Sequence, residues 1–200
     1  RVQDSDQQRK LMTIIQEDVV RLDRLLTDIS DASRLDAELS RAVMKSVNIS
    51  PILSTLVDAY RISAIADAPN VRMEEIDDLM VSGIESRLPQ VFRNMIGNAI
   101  SFSPANSDII VSAVKNGTTV EITVTDQGPG IPEGKEADIF NRFYTERPES
   151  EKFGSHSGLG LSISRQIVET HEGEMFAENC RNEDGTVCGA RFVVRLPIEI

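Results

Sequence analysis

The sequence predicts an α/β protein, an α+β two-layer sandwich whose mixed β-sheet packs on three helices, preceded by a long helix of the dimerising kind. Three observations predict it. The first forty residues carry one uninterrupted helical stripe, stripes of the same period return near residues 52–60, 88–99 and 158–170, and short segments that alternate with period two lie between and after them. Helical and strand periods mixed in this way fit a sheet covered by helices.

In the leading stretch, Leu11, Ile14, Ile15, Val19, Leu22, Leu25, Leu26, Ile29, Ala32 and Leu35 recur at steps of mostly three or four, separated by Asp, Glu, Arg and Gln. No Gly or Pro interrupts them, and the stripe is long for a helix packed alone. It suits a coiled-coil or bundle partner, with an ordinary core helix as the alternative. After Leu39 the pattern changes. Ser46 to Ile49 alternates like a short strand, and Ser50-Pro51 then reads as an N-cap with Pro at the first helical position. That helix carries Ile52, Leu53, Leu56, Val57 and Tyr60. Two short strand-like runs follow, Val71 to Ile76 and Leu79 to Ile84.

A second helix is expected from about Glu85 to Phe102, with Leu88, Val91, Phe92, Met95, Ile96 and Ala99 on one face and Ser103-Pro104 ending it. Asp108 to Val114 and Thr119 to Thr125 alternate with period two. Asn116-Gly117 between them predicts a hairpin with a type I′ turn, in which both residues take positive φ. From Gln127 to Ser157 there is little periodicity; a loop of that length in a compact domain is functional or mobile. A helix from about Gly158 to Thr170 and two strands, Glu174 to Asn179 and Val187 to Leu196, complete the chain.

The 200 residues suffice for one full domain and part of another. The formal net charge of -11 disfavours nucleic acid, because phosphate neutralisation needs clustered Lys and Arg. Trp is absent and aromatics are only 4%, so any core is expected to be aliphatic. Cys180 and Cys188 are too few for a disulfide scaffold and lack zinc-site spacing; they read as two reduced thiols, although a bridge across the likely hairpin loop remains an alternative. No apolar run approaches a bilayer span and no signal peptide is visible. The start at Arg1, without Met, suggests a piece of something longer.

Three features carry chemistry. Asn94 and Asn98, four apart on a helix, put two amides on one face; a carboxamide oxygen is a neutral hard ligand suited to Mg²⁺, although such residues also commonly face solvent. Asp126-Gln127-Gly128-Pro129-Gly130-Ile131 follows a strand directly. Its Asp can accept from an exocyclic amine such as adenine's and its glycines permit close backbone approach, yet a plain turn uses the same residues. Gly154-Ser155-His156-Ser157-Gly158-Leu159-Gly160-Leu161 runs into a helix N-terminus, a good phosphate cradle; a helix cap explains one of these glycines but hardly three.

In this order, the motifs resemble those of sensor histidine kinases. Asn94 to Ala99 resembles the N box, Asp126 to Ile131 the first glycine box, Ile139 to Tyr144 the F box, and Gly158 to Leu161 the second glycine box. The gyrase, Hsp90 and MutL ATPases share the first two, while the F box and the preceding helix favour the kinase branch. Asp18 to Leu26 and Asp28 to Asp36 resemble the second helix of the kinase dimerisation hairpin, in wording similar to the ChvG/BvrS type of alphaproteobacterial envelope-sensing kinase.

The resemblance implies a partial dimerisation and histidine-phosphotransfer region over 1–42 and a catalytic ATP-binding domain over 43–200. ATP and Mg²⁺ would be its cofactors, and the γ-phosphoryl would go to a histidine and then to an aspartate of a response regulator. Asn98 would coordinate Mg²⁺ with Asn94 in support, Asp126 would bind the adenine amine, and Gly128 and Gly130 would let the ring approach. Ile131 and Phe143 would border the base, with Phe102 also at the site. Arg142 would reach a phosphate, and Ser157, Gly158, Leu159 and Gly160 would wrap the triphosphate. Residues Pro132 to Ser157 would form a lid ordered by nucleotide. The parent would be a homodimer through the N-terminal helix and the cytoplasmic part of an inner-membrane sensor, held there only by upstream segments.

Two departures stand out. The family commonly has Lys or Arg and then Tyr where this chain has Ser101 and Phe102, and Arg93 is the nearest candidate to compensate. The phosphoacceptor of the family, in a His-Glu motif on the first dimerisation helix, has no counterpart: His156 falls in the lid, and His171 reads as a surface residue interacting with a helix dipole. The alternatives are a related ATPase, a serine-directed anti-sigma kinase, or a non-catalytic nucleotide-responsive dimerisation module.

Overall fold

A computed structural model describes residues 41–64, 67–74, 78–144 and 158–199 and, among the first forty, 8, 11–13, 15, 16, 19, 26, 27, 29, 30, 33, 35 and 37–39. Strand β1 (Lys45–Asn48) leads into helix α1 (Ile49–Ser63). Strands β2 (Asn70–Met73) and β3 (Met80–Gly83) precede helix α2 (Leu88–Phe102). The hairpin β4 (Asp108–Asn116) and β5 (Thr119–Thr125) is followed by a short 3-10 helix, Asp138–Phe140, then α3 (Gly160–Thr170) and the strands β6 (Glu174–Arg181) and β7 (Val187–Pro197).

The large sheet has the order β2-β4-β5-β7-β6, with β2 parallel to β4 and every other pairing antiparallel. It is the expected mixed sheet on three helices. β1 and β3 form a separate antiparallel pair, linked to the large sheet by a bridge from Val81 to Ile198. The alternation in β5 explains the layering: Val120, Ile122 and Val124 are buried toward the helices while the intervening Thr and Glu are half-exposed. All six predicted residues of the α2 stripe are buried, beside Leu53 and Val57 of α1 and Ile163, Ile167 and Val168 of α3. The core is mostly aliphatic but not wholly so, contrary to expectation: Phe92, Phe140 and Phe192 are buried in it.

Every described residue from Gln8 to Leu39 has helical backbone. Leu35 and Leu39 are buried in the core, and Glu38 pairs with Arg87 just before α2. Upstream, Leu11, Ile15, Val19, Leu26 and Ile29 are between 48% and 65% exposed, an apolar stripe that the described residues leave uncovered.

Several local expectations are corrected. The cap of α1 is Asn48, whose side chain accepts from the Ser50 N–H at 3.1 Å, so the helix starts before Ser50 and Pro51 lies inside its first turn. Helix α2 starts at Leu88, after a turn over 85–87. In the β4–β5 hairpin Asn116 is still paired, with Thr119, and only Gly117 has positive φ (+62°); Gly at the first central position suits a type II′ turn, not type I′. Cys180 and Cys188 are both free, in line with the reading of two reduced thiols and against the alternative bridge; Cys188 lies beside a register shift after Cys180. His156 and Ser157 lie outside the described residues.

His171 is the largest correction. It is 4% exposed, because the end of α3 packs against the end of β3. Its Nδ1 lies 2.7 Å from the Ile167 carbonyl and its Nε2 accepts the Ile84 N–H at 2.8 Å. This arrangement requires the neutral ring with its proton on Nδ1. Burial pushes the imidazole pKa down, against the opposing bond to Ile167. A depressed folded pKa means that the stability contributed by the neutral ring is complete above the unfolded value of about 6.5 and is lost as the pH falls from there toward the folded value. Urea unfolding should therefore show a falling midpoint between about pH 7 and 5.5. His171→Leu should flatten that dependence and lower the midpoint at neutral pH, since each orphaned backbone partner costs about 1–3 kcal/mol.

Candidate functional site

The site forms where the exposed edge of α2 meets the end of β5 and the start of α3. Asn94 and Asn98 sit on that edge, both half-buried beside the apolar stripe. Asn94 Nδ2 donates to the Gly160 carbonyl at 2.9 Å and to Ser164 Oγ at 3.0 Å, and Ser164 Oγ donates to the same carbonyl at 2.8 Å. The closed triangle commits the Asn94 nitrogen to α3 and turns its Oδ1 away. Asn98 has no hydrogen-bond partner among the described residues, which leaves its amide oxygen free for a ligand. Two neutral amide oxygens one turn apart fit Mg²⁺ that receives its remaining ligands from phosphate and water.

Asp126 follows β5 and is 4% exposed. Its Oδ1 accepts from Gly128 N–H at 2.8 Å and Ala190 N–H at 3.1 Å, while its own N–H donates to the Ala190 carbonyl at 2.9 Å. Both side-chain bonds converge on one oxygen, so Oδ2 is left for a donor from outside. Burial raises the carboxyl pKa, and the bonds from Gly128 and Ala190 oppose that shift. Gly128 runs so close to the end of α2 that a Cβ there would lie 2.7 Å from the Phe102 carbonyl oxygen. Gly130 combines φ +79° with a neighbour, the Val187 side chain, 2.3 Å from where its Cβ would be. Ile131 is buried at the exit of this turn.

The F-box segment reaches α3. Phe140 is buried under the Arg165 guanidinium, 5.3 Å from the ring centroid. Phe143 N–H donates to the Gly158 carbonyl at 3.0 Å, and Gly158 has φ +69° with the Tyr144 carbonyl 2.8 Å from any Cβ. Leu159 is buried, and Gly160 starts α3 with its backbone at Asn94.

Thus Asn94, Gly158, Leu159 and Gly160 come together, as do Phe102, Asp126, Gly128, Gly130 and Ile131. Arg142 and Phe143 are exposed, Phe143 by 62%, so of the two walls expected for a base only Ile131 is buried. Arg93 faces α1: its carbonyl accepts from Tyr60 Oη at 3.4 Å and its charge acts on that phenol. Three partners escaped the sequence reading, Ser164, Asn179 and the pair Gly189-Ala190. Gly189 alone left a signal, being a glycine inside a strand; a Cβ there would lie 1.9 Å from the Asp126 carbonyl oxygen.

Residues 83–200 match the family described as histidine kinase-, DNA gyrase B-, and HSP90-like ATPase. The chain belongs to this family. Its sensor-kinase branch is marked by two curated relatives. Sensor protein ChvG of Rhizobium meliloti is 46% identical over 96% of this chain and 35% of the relative, and sensor protein ChvG of Agrobacterium fabrum is 42% identical over 98% and 34%. The chain therefore spans about a third of the length of these relatives. Among solved structures, the ATP binding domain of PrrB from Mycobacterium tuberculosis superimposes with a TM-score of 0.59 at 29% identity, over 78% of this chain and 98% of that one. The chain accordingly contains an ATP-binding catalytic domain of the histidine-kinase kind.

Proposed function

We propose that residues 43–200 bind Mg-ATP and donate its γ-phosphoryl group to a histidine of a dimerisation domain, for relay to a response-regulator aspartate. The observation that carries this reading is the convergence, from three distant segments, of an open carboxylate oxygen on Asp126, an open amide on Asn98 and the glycine-led start of α3.

Each residue then has a task. Asp126 Oδ2 accepts the adenine amine, Gly128 and Gly130 keep side chains out of the base's plane, and Ile131 supplies an apolar wall. Phe102, at the end of α2, borders the same turn. Leu159 and Gly160 present backbone N–H groups of a helix start to phosphate oxygens. Gly158 contributes to the phosphate cradle at the start of α3, and Arg142 and Phe143 lie beside it, joined through the Phe143 N–H. Asn98 holds Mg²⁺, with Asn94 Oδ1 beside it; the ion, when bound, neutralises charge on the phosphates. Transfer forms a bond between the histidine nitrogen and γ-phosphorus and breaks the bond to the ADP oxygen. The protein contributes mostly position and electrostatics.

Residues 1–42 act as part of a dimerisation and phosphotransfer region. The exposed stripe Leu11, Ile15, Val19, Leu26 and Ile29 supports pairing with a second copy. Among the described residues no helix is long and apolar enough to cross a membrane. Incubation with γ-labelled ATP tests the reading. The chain alone should stay unlabelled, His171 being buried, and label should appear on an added dimerisation hairpin carrying the His-Glu motif of a ChvG-type relative. Label on His156 or His171, or steady phosphate release without an acceptor, contradicts it.

A further inference from the structure

The turn that follows β5 is held at both ends by one cross-strand pair. At its start, Asp126 makes two bonds with Ala190: its backbone N–H donates to the Ala190 carbonyl, and the Ala190 N–H donates to the side-chain Oδ1 of Asp126. At its end, the Asn179 side chain clasps Ile131, its Oδ1 accepting the Ile131 N–H at 2.6 Å and its Nδ2 donating to the Ile131 carbonyl at 2.7 Å. Asn179 and Ala190 are direct partners in the β6–β7 ladder, one pair before the register shifts after Cys180. Asn179 also fixes the space around Gly130, whose Cβ would lie 2.6 Å from the Asn179 amide oxygen.

We propose that Asn179 is a positioning residue for purine recognition, setting the span between the Asp126 carboxylate and the Ile131 wall so that a base bearing an exocyclic amine is selected. A carboxamide can accept from and donate to a single residue's backbone at once through two separate atoms, as a neighbouring strand would. Ile131 is followed by Pro132 and has no strand of its own to pair with. Without Asn179, the Asp126 end of the turn stays anchored by Ala190, while the Ile131 end loses both bonds. The distance between the acceptor and the apolar wall is then no longer defined, and shape selection of the base weakens while phosphate contacts at α3 are untouched. This rests on the nucleotide reading of the cleft given above.

The test is calorimetric affinity for ATP and for inosine triphosphate, which lacks the exocyclic amine, on the unmodified chain, Asn179→Ala and Asn179→Asp. The unmodified chain should prefer ATP. Asn179→Ala should weaken ATP about ten-fold and inosine triphosphate by no more than about two-fold, collapsing the preference, with the Mg²⁺ dependence unchanged. Asn179→Asp, which can accept but not donate, should fall between. An unchanged preference in both variants, or an equal loss for both nucleotides accompanied by a lowered Tm, overturns the inference and leaves Asn179 a structural loop tie. An unmodified chain that binds the two nucleotides alike overturns the adenine reading beneath it as well. Loss of ATP binding in Asp126→Asn alongside an unchanged Asn179→Ala would sink only the role of Asn179.

Discussion

Asp126→Asn is expected to abolish nucleotide binding and to leave the fold as stable at neutral pH as before, or more so. The asparagine cannot choose its orientation. Two backbone N–H groups, from Gly128 and Ala190, point at Oδ1, so the new side chain must keep its oxygen there and turn its NH₂ to the Oδ2 position. The adenine amine then meets a donor instead of a carboxylate. Loss of one charge-assisted bond is worth about 1.5–3 kcal/mol, and the donor-to-donor approach adds to it, so affinity should fall about 100-fold or more. Stability moves the other way. Burial raises the folded pKa of this carboxyl. A group with a raised folded pKa contributes stability that is complete below its unfolded value of about 4 and is lost as the pH climbs through the folded value. At pH 7 the buried charge is therefore a cost, which Asn removes without losing either backbone bond. Thermal unfolding of the two proteins at pH 7 should give an equal or higher Tm for the variant.

Asn98→Ala is expected to remove the metal's contribution and little else. Asn98 makes no hydrogen bond to any described residue, so its truncation breaks nothing in the fold, and alanine is the better helix former. Changes to groups one shell out from a metal cost about 10–100-fold in metal affinity or activity, and removal of a ligand should cost at least as much. Affinity for ATP should fall by that order in Mg²⁺ and stay nearly constant in a chelator, with phosphotransfer lost. An equal loss in both conditions would mean that Asn98 contacts the nucleotide directly, and an unchanged affinity would remove it from the site.

The parts of the fold set by local periodicity were legible in the sequence. The α2 stripe from Leu88 to Ala99 and the alternation in β4 and β5 follow from burial of one face, and each came out as expected. Expectations that depended on which of two neighbouring polar residues wins a local competition were less secure. Asn48 displaced Ser50 as the cap of α1 because the end of β1 already presents it at the helix start. Gly117, and not Asn116, took the positive φ because the β4–β5 ladder continues through Asn116. His171 was misread for a reason outside its own helix. Its neighbours Glu169 and Glu172 are exposed, and only the approach of β3 through Gly83 and Ile84 buries the ring.

The site divides in the same way. Asn94, Asn98, Asp126 and the glycines announce themselves by motif and spacing. Ser164 and Asn179 do not, because each acts on a residue more than forty positions away: Ser164 on Asn94, and Asn179 on Ile131. Their value comes from the packing of α3 on α2 and of β6 beside the turn, which no local pattern encodes.

The central claim is that the carboxylate of Asp126 reads an adenine in a cleft shared with α2 and α3. Calorimetric titration of Mg-ATP into the unmodified chain and into Asp126→Asn, both confirmed folded, tests it most directly. The account predicts saturable one-to-one binding to the first and no measurable heat of binding to the second at the same concentrations. Equal affinities for the two proteins would contradict it.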